Sequence, residues 1–165
     1  MAVRSYNKHY EDSVFIRAPA GQVFDYVDDH SRFSSHMSQS SWMMGGGRMN
    51  TELDDGRGQT VGSHIRLNGK VFGINLFLDE VVTHRQPPSR KIWETVGTPK
   101  LLVIGNYRMG LEISSENEGS RLRIFIDYEL PTGVSTRWLG YLFGGIYAKW
   151  CVRQMVRGVC EQFKT

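Results

Sequence analysis

The sequence predicts an α+β domain in which a single layer of antiparallel sheet packs against one long C-terminal helix. Three stretches carry that reading. "LLVIGNYRMGLEIS" and "RLRIFIDYEL" alternate apolar and polar residues on either side of the turn "SENEGS", the pattern of a hairpin with one wet face. "TVGSHIRLNGKVFGINLFLDEVV" places Asn68-Gly69 between two β-rich runs. "RWLGYLFGGIYAKWCVRQMVRGVCEQF", Arg137 to Phe163, is apolar over a broad arc in its first half and charged at every fourth position in its second. At 165 residues the chain is long enough for one buried core, so 12–165 is expected as a single domain behind an N-terminal tail, 1–11.

Taken in order, Ser13–Arg17 reads as a short strand stopped by Ala18-Pro19. Pro19 suits the first turn of a helix whose Val23, Phe24 and Val27 share a face. "DDHSRFSSHM" holds a second short helix, with Phe33 and Met37 on one side. "SQSSWMMGGGRMNTEL" is poor in helix formers and reads as a strand bent at Gly45–Gly47, and "DDGRG" as a turn. Asn68-Gly69 favours a type I′ hairpin that pairs Ile65 with Phe72, Ser63 with Ile74 and Val61 with Leu76; His64, Arg66, Gly73 and Asn75 then point the other way. "HRQPPSR" is a loop and "KIWETVG" a further strand. Across "SENEGS" the register sets Ile113 against Leu122, Leu111 against Ile124, Met109 against Ile126 and Tyr107 against Tyr128. Arg108, Glu112, Arg123, Asp127 and Glu129 take the opposite face, where Phe125 is the exception. The count is six or so strands. Ser135 or Thr136 would cap the final helix.

In that helix Lys149, Arg153, Arg157 and Glu161 form a solvent stripe opposite Val152, Met155, Val156, Val159, Cys160 and Phe163. The first half sets Gly140, Gly144 and Gly145 among Trp138, Leu139, Leu142, Phe143, Ile146, Tyr147 and Trp150. A glycine costs about 1 kcal/mol against alanine inside a helix, so the glycines need a reason. Three are open: close packing, room for a ligand, or a membrane or partner contact through the GxxxG of "GYLFG".

The order of elements, the opening "VFIRAPAGQVFDYV", the segment "PPSRKIWE" and the long closing helix resemble the START/Bet v 1 superfamily (SRPBCC). Within it they look most like the bacterial polyketide cyclase/dehydrase and lipid-transport type. The resemblance covers about residues 12 to 163. It implies a helix-grip fold: a curved antiparallel sheet wrapped around the C-terminal helix, two short helices after the first strand, and a mostly apolar cavity between. That fold serves carriers, sensors and cyclases alike, so it does not select a function.

Strand phase assigns Phe72, Ile74 and Leu76 to the cavity wall, with Met109 and Ile126 on the later hairpin. Tyr107 and Tyr128, facing each other, offer two hydroxyls to orient a polar group on a greasy ligand, or are core tyrosines bonded to backbone or water. Leu142 and Ile146 are the helix's contribution, and Trp42 is a candidate for the mouth. The resemblance turns Trp93 inward, although Ile92 and Val96 compete for that face. Glu80 interrupts the apolar set Phe72, Ile74, Leu76, Leu78 and Val82. Buried, it is an acid–base candidate; a bulge would instead turn it to the rim.

Other chemistries lack their signatures. There is no HExxH, GxSxG or Walker sequence, and His9, His30, His36, His64 and His84 show no metal spacing. His30 and His36 beside Asp28 and Asp29 read as a solvated helix–turn. No metal or cofactor is expected. A net charge of +3 without a Lys/Arg run gives no nucleic-acid footprint. Cys151 and Cys160 sit about 13 Å apart along one helix, too far for a disulfide. They read as buried free thiols, and with no apolar signal segment in "MAVRSYNKHYEDS" the expected location is the cytoplasm. No uncharged apolar run is long enough for an integral membrane segment. The favoured function is binding of a small hydrophobic molecule, of lipid or polycyclic aromatic type, for carriage or sensing. The alternative is an aromatic polyketide cyclase/dehydrase-like enzyme, a lyase or isomerase, which would require a buried ionisable pair in the cavity. A protein- or membrane-adaptor role through Trp138–Ala148 is the third.

Overall fold

β1 (Lys8–Ile16) leads into α1 (Ala20–Asp28) and α2 (His30–Phe33). Then come β2 (Arg48–Leu53), β3 (His64–Val71), β4 (Ile74–Gln86), β5 (Arg90–Lys100), β6 (Tyr107–Glu116), β7 (Gly119–Tyr128) and the closing helix α3 (Val134–Gln162). The computed structural model describes residues 4–33 and 48–164. Among these the strands make one seven-stranded antiparallel sheet, in the order β1-β7-β6-β5-β4-β3-β2. It curves around α3 in the helix-grip arrangement. Trp42, Met37 and Gly45–Gly47 lie outside the described residues.

The hairpin β6–β7 has the expected register, Tyr107 to Tyr128 through Ile113 to Leu122. Its inward side chains are buried, and the outward charges pair off: Arg108 with Asp127 at 2.7 Å, and Arg123 with Glu112 at 2.7 Å. Phe125 belongs to that outer face for a local reason. Its ring covers Gly110, where a Cβ would come within 2.5 Å of it, and the Arg123 guanidinium lies 5.1 Å above the ring. β6 starts only at Tyr107, leaving Leu101–Asn106 as an irregular connection.

β1 begins at Lys8, inside the stretch expected as a tail. Lys8–Ile16 pairs without interruption with Tyr128–Ser120, so the backbone of β7 orders a segment whose own side chains are largely polar.

The turn between β3 and β4 is at Phe72-Gly73, with φ +50° and +79°, not at Asn68-Gly69. Asn68 and Gly69 lie within β3, opposite Phe77 and Leu76 on one side and Asn50 and Met49 of β2 on the other. The longer ladder sets Leu67 against Leu78 and Val71 against Ile74, giving β3 two partners where the earlier turn would have cut it short. Both arms moved by an even number of residues, so the faces survived: Ile65, Leu67, Leu76, Leu78 and Val82 are all buried.

α3 starts at Val134, capped by the extended backbone of Gly133 and not by a side chain of Ser135 or Thr136; the Thr136 hydroxyl donates back to the Gly133 carbonyl. Its inward residues are Gly140, Gly144, Ala148, Cys151, Val152, Met155 and Val159. Close packing accounts for the first two. A Cβ on Gly140 would stand 2.5 Å from Pro131 Cδ, and one on Gly144 2.9 Å from the Val103 carbonyl oxygen. Leu142 lies on the opposite side, 60% exposed. Both cysteines are free; Cys151 is buried and Cys160 half-buried. No helix among the described residues is long and apolar enough to cross a membrane.

Candidate functional site

Two adjoining spaces separate α3 from the sheet. The outer is an open, apolar groove of about 550 Å³. β3, β4 and the turn between them supply Val71, Phe72, Ile74 and Leu76; the connection before β6 supplies Leu101–Ile104; α3 supplies Leu139, Phe143, Ile146 and Tyr147. The inner is a chamber of about 40 Å³, reaching Glu80, Trp93, Tyr107, Met109 and Ile126 on the sheet, His30 on α2, and Cys151 and Met155 on α3. Leu101, Ile104 and Tyr147 line both.

Glu80 is the polar centre of the inner chamber. The strand irregularities between β4 and β5 fall at Phe77/Asp79 and Val82/His84. Glu80 therefore keeps the phase of Leu78 and Val82 and is buried, not turned to the rim. The Tyr107 hydroxyl donates to its Oε1, and His30 Nε2 stands 3.7 Å from its Oε2. Burial pushes the carboxyl up to about 7, while hydrogen bonds from Tyr107 and Trp93 oppose the rise. Burial, with the nearby Glu80 charge, holds the Tyr107 hydroxyl well above its ordinary value. Tyr147 and Cys151, one turn apart on α3, hydrogen-bond each other, and burial pushes the thiol up to about 12.

His30 was expected to be solvated. It is buried instead, because α2 turns it and Phe33 together onto Trp93: the ring centroids are 5.5 Å and 6.0 Å away, both nearly perpendicular. Their i, i+3 spacing was the available signal. Behind them lies a second buried group absent from the sequence reading. Lys91 is 0% exposed, its Nζ donating to the Asp28 carbonyl at 2.8 Å and pairing with Asp28 Oδ1 at 3.0 Å. Arg85 holds the other carboxylate oxygen at 2.8 Å. Burial raises the Asp28 carboxyl, but these cations outweigh it and hold it below the usual range. Lys91 is lowered by burial, with Asp28 opposing. It shares the strand parity of Trp93 and Thr95, so the facing of Trp93 was the signal for it.

The expected pocket residues divide. Trp93, Tyr107, Met109 and Ile126 meet at the inner chamber, and Leu76 and Ile146 at the groove. Phe72 and Ile74 also line the groove but from an exposed edge, Phe72 being 76% exposed at the hairpin turn. Tyr128 and Leu142 line neither space. The Tyr128 hydroxyl lies under α3, beside Gly145, so only one of the two tyrosine hydroxyls reaches the chamber.

Residues 8–164 match the model of the polyketide cyclase / dehydrase and lipid transport family. The chain belongs to that family. No protein of curated function matches it in sequence. The fold of this chain recurs in solved structures of low identity. The di-domain ARO/CYC protein BexL, from the BE-7585A biosynthetic pathway, superposes with a TM-score of 0.68 at 15% identity, over 96% of this chain and 50% of that one. Major latex-like protein 151 (GLP) from Panax ginseng gives 0.61 at 13% identity, over 96% and 98%. Ara h 8.0201 gives 0.59 at 9%, over 93% and 98%. At these identities the likeness is one of fold. The polyketide cyclase / dehydrase and lipid transport family therefore supplies the frame, and this chain's own side chains must supply the function.

Proposed function

We propose that the protein binds a small, largely apolar molecule between the sheet and α3, for carriage or sensing. The observation that carries this is the groove itself: about 550 Å³, within the range of small-molecule sites, walled by aliphatic and aromatic side chains and adjoining a chamber with a few convergent polar groups. Binding would be driven by apolar burial. The test is titration with N-phenyl-1-naphthylamine, a neutral fluorophore that brightens in apolar sites. Saturable binding is expected, weakened at least about tenfold by Ile146→Glu, since a carboxylate on the wall loses water whenever the groove fills. Ile146 is half exposed, so this substitution leaves the empty protein folded. Absence of binding, or indifference to the substitution, would end this reading.

A second reading has one observation in its favour. An enzyme of this architecture needs a buried ionisable pair, and His30 with Glu80, beside Tyr107, is such a pair. A carboxyl poised near neutrality is suited to proton transfer. Turnover of a polyketide-like substrate that disappears in Glu80→Gln while the fluorophore still binds would favour the lyase or isomerase over the carrier.

A further inference from the structure

The polar atoms of the cavity are gathered at one end. The groove is walled by apolar side chains, whereas Glu80, Tyr107, His30, Tyr147 and Cys151 converge on the inner chamber. That asymmetry describes a ligand with an apolar body and a polar tip, and three features of the chamber say what the tip is.

The first is size. About 40 Å³ accommodates one group of the size of a water molecule. A hydroxyl fits; a carboxylate or phosphate that keeps any hydration does not.

The second is charge. Among the described residues lining the chamber there is no lysine or arginine. The nearby cation, Lys91, is committed to the Asp28 carbonyl and carboxylate, and Arg85 is held by the same carboxylate. Among the described residues an acidic tip would meet Glu80 with only the His30 imidazole, itself 3.7 Å from that carboxylate, to offset the repulsion.

The third is hydrogen-bond polarity. The Tyr107 proton is directed at Glu80, and the Trp93 indole also favours that carboxylate. What remains open on these groups is acceptor capacity: the carboxylate oxygens and the phenol lone pairs. A tip that only accepts, such as an ether, gains little from them, whereas a hydroxyl can donate.

We infer that the inner chamber is a head-group subsite for a single uncharged hydroxyl, so that the preferred ligands are apolar alcohols or phenols and not fatty acids or phosphorylated lipids. This rests on the ligand-binding reading above and specifies it.

The test is displacement of bound N-phenyl-1-naphthylamine by 1-decanol and by decanoate at about pH 8, where decanoate is fully ionised. Decanol is expected to compete at least about tenfold more strongly. An acid enters any apolar site less readily than an alcohol, so the deciding readout is the decanol-to-decanoate ratio in Glu80→Gln. Removal of the negative charge is expected to shrink the ratio severalfold. Glu80→Leu removes the acceptor as well and should shrink it further, which keeps the test usable if the amide is poorly accommodated. A ratio near one in the wild type, or one unchanged in the variants, overturns the subsite while leaving the groove intact. Failure of the fluorophore itself to bind removes the ligand-binding reading, and this inference with it.

Discussion

Glu80 and Tyr107 share a hydrogen bond inside the domain although their strands are not neighbours: β4 and β6 flank β5, and the two side chains meet beneath it. The contact joins a carboxyl that burial has made reluctant to ionise to a phenol that burial has made reluctant to lose its proton. Tyr107→Phe would leave the carboxylate short of a donor in a dry site. It is expected to cost about 1–3 kcal/mol at neutral pH, measured by urea unfolding.

Glu80 also gives stability a pH dependence of known sign. Its folded value, about 7, lies above the 4.5 of an unperturbed glutamate, so the folded state holds the proton more tightly. The stabilisation is fully present below pH 4.5 and is lost as the pH rises through 7. Relative to Glu80→Gln, which does not titrate, the wild type should lose about 3 kcal/mol over that interval. Parallel unfolding curves for the two proteins would contradict it.

The neighbouring glycines of α3 should respond in opposite directions to alanine. At Gly144 the new methyl would stand 2.9 Å from the Val103 carbonyl oxygen, and the helix must move away. A loss of about 1–3 kcal/mol is expected. At Gly145 the nearest atom is the Tyr128 hydroxyl at 3.7 Å, an ordinary contact, so the gain in helix propensity should prevail and stabilise by up to about 1 kcal/mol. Thermal unfolding of both variants checks the pair.

Lys91→Met should destabilise by about 3 kcal/mol, because it removes one of two cations from a buried carboxylate. Adding Asp28→Asn should recover part of that loss. A double mutant whose cost is the sum of the single costs would show that the two groups are not coupled.

Cys151, buried and with its thiol pushed up to about 12, should resist iodoacetamide in the native protein and react once the chain is unfolded. Mass spectrometry of tryptic fragments would locate the label. Native labelling of Cys151 would mean that α3 opens readily from the sheet.

The parts legible in the sequence are those set by short-range periodicity. β6 and β7 alternate over enough residues, around an unambiguous turn, that one register turns every apolar residue but Phe125 to the inner face. The β3–β4 hairpin shows the limit of local signals. Asn68-Gly69 is a strong turn dipeptide, but Asn68 and Gly69 each gain a partner on both sides when the chain runs on to Phe72-Gly73. The inward set that contains Glu80 outlived the misplaced turn because side chains alternate with a period of two.

Element order, the two faces of each long strand and the solvent stripe of α3 follow from residue spacing, because alternation and helical periodicity are properties of neighbouring residues. The site does not follow from spacing. His30 reaches Glu80 only because α2 packs onto Trp93, and Tyr147 stands between groove and chamber only because Gly140 and Gly144 let α3 settle against Val103 and Pro131. Leu142 stands outside the pocket for the same reason: the first half of the helix buries Gly140, Gly144 and Ala148 and leaves Trp138, Tyr141 and Leu142 toward solvent. Such meetings join residues far apart in the chain, and which side of a broadly apolar helix faces inward is settled by the shape of what it must fit against.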